Sequence, residues 1–493
     1  MFKETDEDYG HILKYTGIFG GVQGLNILIG LVRNKLIALL LGPSGMGLAS
    51  LFNTTVTFLS QSTNLGVAFS AVRHVSELYD RGEEEALVHY VKVVRGWSLL
   101  TALLGMLLCI VIGPFLSQTT FAWGNHSLHF MLLSPAVGML AVTGGETAIL
   151  KGVRRLGVLA GVQVLSVFAA LLISVPVYYL WGETGIVPVI VLMALATMIF
   201  TLRYSYRIFP LRLTGVHGIL GEGMDMVRLG VAFTLAGIVG SASEMVIRSY
   251  LNVQGDLDML GLYNAGYMLT VTYAGMVFSA METDYFPRLS GVQHDIQATN
   301  DTVNRQMEVS LLLISPMLAA LIVSLPLLIP LLFSAQFLPV VEMAQVSALA
   351  MYLKVLTLPV AYITLARGRS LAYLFLETSY FAVFIVLVVV GYEMWGLFGT
   401  GVAVTLAHLF DYLMINGFAY KKYGYRCSVT VFRYAAVQLL LGIGVFILTL
   451  SLSGIFYWIM GTLLTLVSGL YSLQILHSKT HLWQALMRRF HKG

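Results

Sequence analysis

Charged residues are scarce in this sequence. Asp, Glu, Lys and Arg make up only 11% of its 493 residues, whereas 57% are hydrophobic and the mean hydropathy is +0.81. This composition excludes a soluble globular protein and is typical of a polytopic membrane protein. The formal net charge of +4 is spread along the chain without the basic patch of a nucleic-acid-binding protein, so no nucleic-acid partner is predicted.

Cysteine and catalytic motifs are equally rare. Cys109 lies in an apolar run and Cys427 near a basic cluster, and neither has the spacing of a disulfide or a metal site. The sequence has no glycine-rich phosphate loop, no HExxH pair, no Asp-rich pair and no nucleophile elbow. We therefore predict no metal, no cofactor and no enzymatic activity.

Long apolar runs occur instead along the whole chain. Hydropathy predicts an all-α membrane protein with about fourteen spans, joined by short links and with no inserted soluble domain. The predicted spans are residues 12–34, 45–70, 96–116, 128–150, 156–181, 185–205, 229–250, 259–282, 308–333, 337–362, 371–391, 394–418, 432–452 and 455–476.

The basic residues predict how these spans are oriented. Of the 29 Lys and Arg residues, 25 lie at the two termini or in the even-numbered links. Basic links remain on the cytoplasmic side of a membrane, so both termini are predicted to be cytoplasmic. Both termini lie on the same side of the membrane only if the number of spans is even, which supports the count of fourteen.

Four cations depart from this pattern. Arg33, Lys35, Arg248 and Lys354 lie within, or at the outer ends of, spans one, seven and ten. A charge in hydrocarbon costs roughly 2.5–3.5 kcal/mol and is kept where it faces a partner, water or an anionic substrate. We predict that Arg33, Arg248 and Lys35 bind the anionic headgroup of a substrate. The alternative for Arg33 and Lys35 is a side chain that snorkels to the outer surface.

Acidic residues accompany some of these cations. Glu244 precedes Arg248 by one helical turn, so the two are predicted to share a face, either as a structural pair or as part of a site. Glu146 is predicted to lie at the cytoplasmic membrane interface.

A larger group of ionisable residues lies in spans ten to twelve. It consists of Lys354, Glu377, His408 and Asp411. One interpretation is coupling to protons or sodium ions, and the other is a buried structural network.

Short patterns recur along the chain. Arg33 precedes Gly47-Leu-Ala and Phe69-Ser-Ala, and Arg248 precedes Gly261-Leu-Tyr and Phe278-Ser-Ala. The patterns are six spans apart, which predicts two parallel repeats with a cleft between them. The predicted division is a cytoplasmic segment at 1–11, lobes at 12–212 and 213–420, two further spans at 421–478, and an amphipathic cytoplasmic tail at 479–493.

Two segments carry a resemblance to a known family. The opening stretch Leu31–Gly47, with its Arg, its apolar run and its Gly-Pro-x-Gly-x-Gly, is similar to the start of the polysaccharide-transport branch of the multidrug/oligosaccharidyl-lipid/polysaccharide (MOP) exporter superfamily. The segment Phe278–Ser290 resembles the end of the eighth helix of Wzx-type flippases for O-antigen or enterobacterial common antigen.

The resemblance implies a flippase for undecaprenyl-diphosphate-linked oligosaccharide in a bacterial inner membrane. It implies alternating access through a cationic cleft, and Arg33 matches an Arg in the first helix of the related peptidoglycan-precursor flippase. Membrane lipids are implied partners, and contact with other polysaccharide-assembly proteins is left open. The alternatives are a drug/cation antiporter of the same superfamily and, from another class, a membrane oligosaccharide polymerase or ligase.

Overall fold

The computed structural model is all-α, with no strand among the residues whose backbone it describes: 4–120, 126–211, 221 and 223–480. Side chains are described for residues 24–67, 70–120, 126–155, 157–211, 221, 223–224, 234–275, 278, 285–286 and 288–478. The predicted amphipathic face of the tail, His481–Phe490, lies outside these residues.

The helices are named here in chain order. They are α1 (Glu4–Thr63), α2 (Val67–Arg81), α3 (Glu84–Thr120), α4 (Ser127–Gly152), α5 (Leu156–Trp181), α6 (Ile186–Ile208), α7 (Met224–Gln254), α8 (Leu257–Tyr267), α9 (Tyr273–Gly291), α10 (Ile296–Leu332), α11 (Val341–Ala366), α12 (Ser370–Tyr423), α13 (Val429–Ser451) and α14 (Gly454–Thr480). A π-helical segment, Met268–Thr272, joins α8 to α9, and 3₁₀ segments Gly182–Gly185 and Ala335–Val340 precede α6 and α11.

Two of these helices each contain two predicted spans, because a glycine kinks them midway. Gly42 in α1 has φ 64° and ψ −170°, and Gly396 in α12 has φ 57° and ψ −137°. A positive φ with an extended ψ is accessible to glycine and strained for other residues. Thus α1 supplies spans one and two, and α12 supplies spans eleven and twelve.

The second predicted span, residues 45–70, was drawn too long. Helix α1 ends at Thr63, and Leu65 and Gly66 then adopt positive φ angles of 51° and 78°. The chain resumes as α2, an amphipathic helix that buries Val75 and exposes Arg73. Hydropathy missed this turn because Leu65 to Ser70 is as apolar as the span before it.

Nine stretches among the described residues are long and apolar enough to span a membrane. Gly24–Thr63, Gly157–Ile208 and Ser370–Tyr423 contain two predicted spans each, and the remaining six contain one each. The other two predicted spans correspond to α7 and to the segment from α8 to α9. Every predicted span therefore coincides with helix.

The chain divides into two compact units. The first comprises Met1–Asn264 with Leu332–Ser334, and the second comprises Ala265–Leu331 with Ala335–Gly493. In the first unit α3 packs along α4, and α1 packs against α5. In the second unit α11 packs along α12, and α13 packs against α14. The predicted lobes at 12–212 and 213–420 remain a prediction.

Candidate functional site

Arg248 is one of the predicted membrane cations, and it is buried with only 7% of its surface exposed. Its Nη1 donates to Glu244 Oε2 at 2.9 Å, so the pair predicted from their spacing forms. Its Nε donates to Ser50 Oγ on α1 at 3.0 Å, and Ser50 donates to Asn264 Oδ1 on α8 at 3.0 Å. The guanidinium thus connects α7 to α1 and, through Ser50, to α8.

Two glycines allow this network to close. A Cβ added to Gly47 would collide with the carbonyl oxygen of Leu257, and one added to Gly261 would collide with that of Pro43. The backbones of α1 and α8 are therefore in direct contact, which brings the short Ser50 side chain within reach of Asn264. Gly47 and Gly261 are the two glycines of the repeated sequence pattern.

Arg33 has a different set of neighbours. Its Nε donates to Ser174 Oγ on α5 at 3.2 Å, and its Nη2 lies 3.4 Å from Met193 Sδ on α6. The Tyr178 ring of α5 is also within electrostatic range of the guanidinium. Arg33 therefore points toward α5 and α6, whereas Arg248 contacts the second half of α1.

The length of α1 places Arg33 further from the end of its helical segment than predicted. The first span was predicted to end at residue 34, but the helix runs on to the kink at Gly42. Arg33 lies nine residues before that kink, or about 13 Å at the rise of an α-helix. Lys35 is half-buried on the same helix but two residues further on, so it points about 200° around the axis from Arg33. The two cations do not share a face.

The four ionisable residues predicted in spans ten to twelve lie on two helices of the second unit that pack along each other. Lys354 on α11 acts electrostatically on Glu377, His408 and Asp411, all of which lie on α12. Glu377 also acts electrostatically on Asp411. His408 is buried and packs edge-on against the Tyr380 ring, with 5.6 Å between ring centroids. Residues from both halves of the kinked α12 thus converge on α11.

A buried ion pair in the first unit was missed from the sequence. Glu146, predicted at the membrane interface, is only 3% exposed and accepts two hydrogen bonds from Arg95, at 2.7 and 3.2 Å. Ser205 donates a third at 2.5 Å, and the Arg95 guanidinium lies 4.4 Å from the centroid of the Tyr206 ring. Arg95 and Glu146 are 51 residues apart, so no local spacing indicates the pair.

Potential metal ligands and the two cysteines were located among the described side chains. Within them, no three His, Cys, Asp or Glu residues are grouped as metal ligands. Cys109 is buried in α3 with its Sγ 3.2 Å from the Phe130 carbonyl oxygen, and Cys427 is exposed between α12 and α13. The structure keeps the two thiols in different environments.

The sequence matches known proteins over most of its length. The family model described as "Polysaccharide biosynthesis protein" matches residues 12–293, more than half of the chain. The lipid III flippase of Escherichia coli (strain K12) is 25% identical over 379 residues, which cover 72% of this chain and 86% of that protein. The lipid III flippase of Shigella flexneri matches to the same extent.

Solved structures show the same fold at lower identity. The inward closed conformation of the lipid II flippase MurJ gives a TM-score of 0.68 at 15% identity, covering 93% of this chain and 98% of that one. An inward-facing multidrug resistance MATE family transporter of the MOP superfamily gives 0.66 at 14% identity, covering 80% and 94%. The predicted all-α, MOP-exporter-like fold is confirmed. The sequence relatives are flippases, which agrees with the prediction that this protein is not an enzyme.

Proposed function

Because the chain belongs to the polysaccharide biosynthesis protein family, we propose that it is a flippase for lipid-linked oligosaccharide. The substrate is an undecaprenyl-diphosphate-linked repeat unit, such as that of O-antigen, and it moves from the cytoplasmic to the periplasmic leaflet of a bacterial inner membrane. The similarity to a lipid III flippase over 86% of that protein supports this class of substrate. Both termini are cytoplasmic, in accordance with the distribution of basic residues.

The placement of Arg33 carries this proposal. Arg33 lies about 13 Å before the kink along the axis of α1, and its guanidinium donates a hydrogen bond to the buried Ser174. A cation at that depth costs several kcal/mol unless its surroundings or a ligand compensate, as noted above. A guanidinium can grip a phosphate through two parallel hydrogen bonds, which suits the diphosphate of the substrate. We assign Arg33 to the binding of that group.

Arg248 and Lys35 take supporting roles in this proposal. Arg248 is held by Glu244 and Ser50, so its geometry suits a group that adds positive potential to the site while it fixes α7 against α1. Lys35 faces another side of α1 and meets the diphosphate at a different stage of alternating access. A diphosphate cannot cross hydrocarbon unaided, and a polar cleft that opens to each side in turn replaces its hydration.

The cluster of Lys354, Glu377, His408 and Asp411 is proposed to couple transport to an ion gradient. Asp411→Asn tests this role, because it removes one titratable carboxyl while it keeps the shape of the side chain. The expected result is normal protein level with loss of gradient-dependent flipping. A fall in protein level without a change in flipping per molecule would instead indicate a structural network.

The alternative functions have less support. An oligosaccharide polymerase or ligase with a large external loop does not fit, because the described links on the predicted outer side are turns of a few residues. A drug/cation antiporter shares the fold, but the sequence relatives that match over most of their length are flippases.

Reconstitution tests the proposed function directly. Purified protein in liposomes, with fluorescent undecaprenyl-diphosphate-linked oligosaccharide, should move the glycan to the outer surface, where a lectin can bind it. Liposomes without protein give the background, and the same assay with a cationic dye tests the antiporter alternative. Movement of the dye without movement of the glycan would reject the flippase.

A further inference from the structure

Arg367 directly follows helix α11 in a link that is predicted to be cytoplasmic. Its Cζ lies 4.9 Å from the centroid of the Tyr423 ring, at the end of α12. Its Nε is buried and has no hydrogen-bond partner among the described residues, whose salt bridges do not include this arginine. An aromatic ring therefore holds the cation in place, and its buried N–H is left without an acceptor.

Tyr423 carries a second unpartnered group. The residue is only 6% exposed, and its hydroxyl is buried without a hydrogen-bond partner among the described residues. The Phe418 ring packs edge-on against the Tyr423 ring with 5.6 Å between centroids, which fixes the plane of the ring. Buried polar groups without a partner are costly and rare in native proteins. Two donors on neighbouring side chains, one of them charged, thus lack an acceptor, and this indicates a site for an anion.

The fold does not require an arginine at position 367. Helices α4 and α11 end in the same turn, closed by the same backbone hydrogen bonds, and its left-handed residue is Arg154 in one and Gly368 in the other, with φ of 57° and 65°. The residue before it is Val153 in the first turn and Arg367 in the second. Val153 packs into an apolar core, so the turn forms around an apolar side chain as well. The charge of Arg367 therefore has another purpose.

The surroundings of Arg367 are positive. Helix α12 begins at Ser370 with no acidic residue in its first turn and no side-chain cap, so its N-terminus attracts an anion as well. Further cations lie at or just beyond the two ends of α12 and are exposed. They are Arg369, Lys421, Lys422 and Arg426.

Large apolar side chains lie in the same terminal turns of α12. Leu371, Phe375 and Tyr420 are each more than half exposed. Exposed apolar groups of this kind mark a surface that contacts lipid or another apolar partner. A ligand that suits both features has a phosphate at the level of Arg367 and acyl chains beside α12. Basic pockets between membrane helices bind anionic lipid headgroups in this way.

We propose that Arg367 and Tyr423 bind the phosphate group of an anionic phospholipid in the cytoplasmic leaflet. The planar guanidinium donates to phosphate oxygens, and the Tyr423 hydroxyl donates to another oxygen of the same group. The leaflet follows from the predicted topology. The site is separate from Arg33 and Arg248, and it does not depend on which substrate the protein transports.

Thermal unfolding of the full-length protein tests the proposal. The midpoint is measured in a neutral detergent after addition of phosphatidylglycerol, phosphatidylcholine or inorganic phosphate, at equal ionic strength. Phosphatidylglycerol should raise the midpoint of the wild-type protein by about 2–4 °C, because a ligand that binds only the folded state stabilises it. Phosphatidylcholine has no net charge and inorganic phosphate has no acyl chains, so each should raise it by much less.

Three variants locate the site. Arg367→Gln should lose most of the gain from phosphatidylglycerol. Tyr423→Phe keeps the ring under the guanidinium and removes only the hydroxyl, so it should lose part of the gain. Its midpoint without lipid should not fall, because the hydroxyl bonds to no described residue. Arg369→Gln is the matched control, since it removes an exposed cation two residues away and should keep the gain.

Several outcomes would overturn the proposal. Equal losses in Arg367→Gln and Arg369→Gln would show a general effect of surface charge, and equal gains from both phospholipids would show that the headgroup charge is not recognised. A full gain from inorganic phosphate would identify a site for a free anion and not for a lipid. If Arg367→Gln does not fold, an undiminished gain in Tyr423→Phe would reject the site.

Discussion

Ser50 Oγ donates a hydrogen bond of 3.0 Å to Asn264 Oδ1, and Asn264 lies 214 positions after Ser50 in the chain. The same interval separates Gly47 from Gly261, whose neighbours are Leu257 and Pro43, themselves 214 positions apart. The contacts are therefore reciprocal, as they are between two equivalent segments related by a two-fold axis. This geometry supports the parallel repeats predicted from the sequence.

A second pair of segments follows the same interval. The sequence Trp-Gly-x-x-Gly occurs at Trp181–Gly185 and at Trp395–Gly399. The first glycine of each has a positive φ, 54° at Gly182 and 57° at Gly396, with ψ of −133° and −137°. In each unit the chain therefore makes the same sharp turn between two antiparallel helices.

The contact between Gly47 and Leu257 predicts that Gly47→Ala will be destabilising. The new Cβ would collide with the Leu257 carbonyl oxygen, and a helix backbone cannot move aside as a flexible side chain can. We expect a lower unfolding midpoint and less protein in the membrane. Gly30→Ala, on the same helix, is the matched control because its added Cβ would meet no atom within 4 Å. Equal midpoints for the two variants would contradict the close contact of α1 and α8.

The sequence predicted the helices better than it predicted their ends. Hydropathy registers apolar length, so each of the fourteen predicted spans coincides with helix. It does not register backbone angles, and so it ended the first span at residue 34 and ran the second span through the turn at Leu65. The first of these boundaries decides how far Arg33 lies from the end of its helical segment.

Side-chain pairs could be predicted only where local spacing indicates them. Glu244 and Arg248 are one turn apart, and their ion pair forms as expected. Arg95 was counted among the cations that set the orientation, although it pairs with Glu146 on another helix. Such a pair forms through tertiary packing of two helices, so the number of residues between its members follows no rule that a single sequence could reveal.

The pair of Arg95 and Glu146 predicts a large effect of Glu146→Gln on stability. Arg95 is only 10% exposed, so loss of the carboxylate leaves a buried charge without its counter-ion. Breaking such a pair costs roughly 3–5 kcal/mol. Glu77→Gln is the matched control, because Glu77 pairs with Arg73 at the exposed surface of α2, where the expected cost is about 0–1 kcal/mol. Unfolding midpoints of the purified variants check the difference, and similar losses in both would contradict it.

Cys427 provides a test of the predicted topology. It is exposed in the link after span twelve, whereas Cys109 is buried, so a membrane-impermeant maleimide should label Cys427 alone. Labelling should occur in inverted vesicles and not in intact cells with a permeabilised outer membrane. Cys427→Ser should abolish it. Labelling from outside in intact cells would reject the cytoplasmic placement of this link.

The rate of that labelling should depend on pH. Neighbouring residues partly desolvate the sulfur and raise the pKa of the Cys427 thiol above its ordinary value. The reactive thiolate is therefore a smaller fraction at neutral pH, and its fraction increases as pH rises toward the pKa. The rate of maleimide labelling of Cys427 should therefore increase by more than about tenfold from pH 7 to pH 9. A rate that is flat over this range would contradict the raised pKa.

The role of Arg33 is tested by two substitutions with different chemistry. Arg33→Ala removes the charge and should abolish surface display of the glycan at normal protein abundance. Arg33→Lys keeps the charge but loses the planar fork that can bind a phosphate at two points, so it should restore display only in part. Both variants also lose the hydrogen bond to Ser174, and Ser174→Ala measures that loss by itself. Arg154→Ala is the control for the removal of a cation. Arg154 lies in the link after α4, is exposed, and pairs with Asp80 of α2. Full display by Arg33→Ala would show that this arginine is a structural cation, and the diphosphate site would then have to be sought elsewhere in the membrane-spanning region.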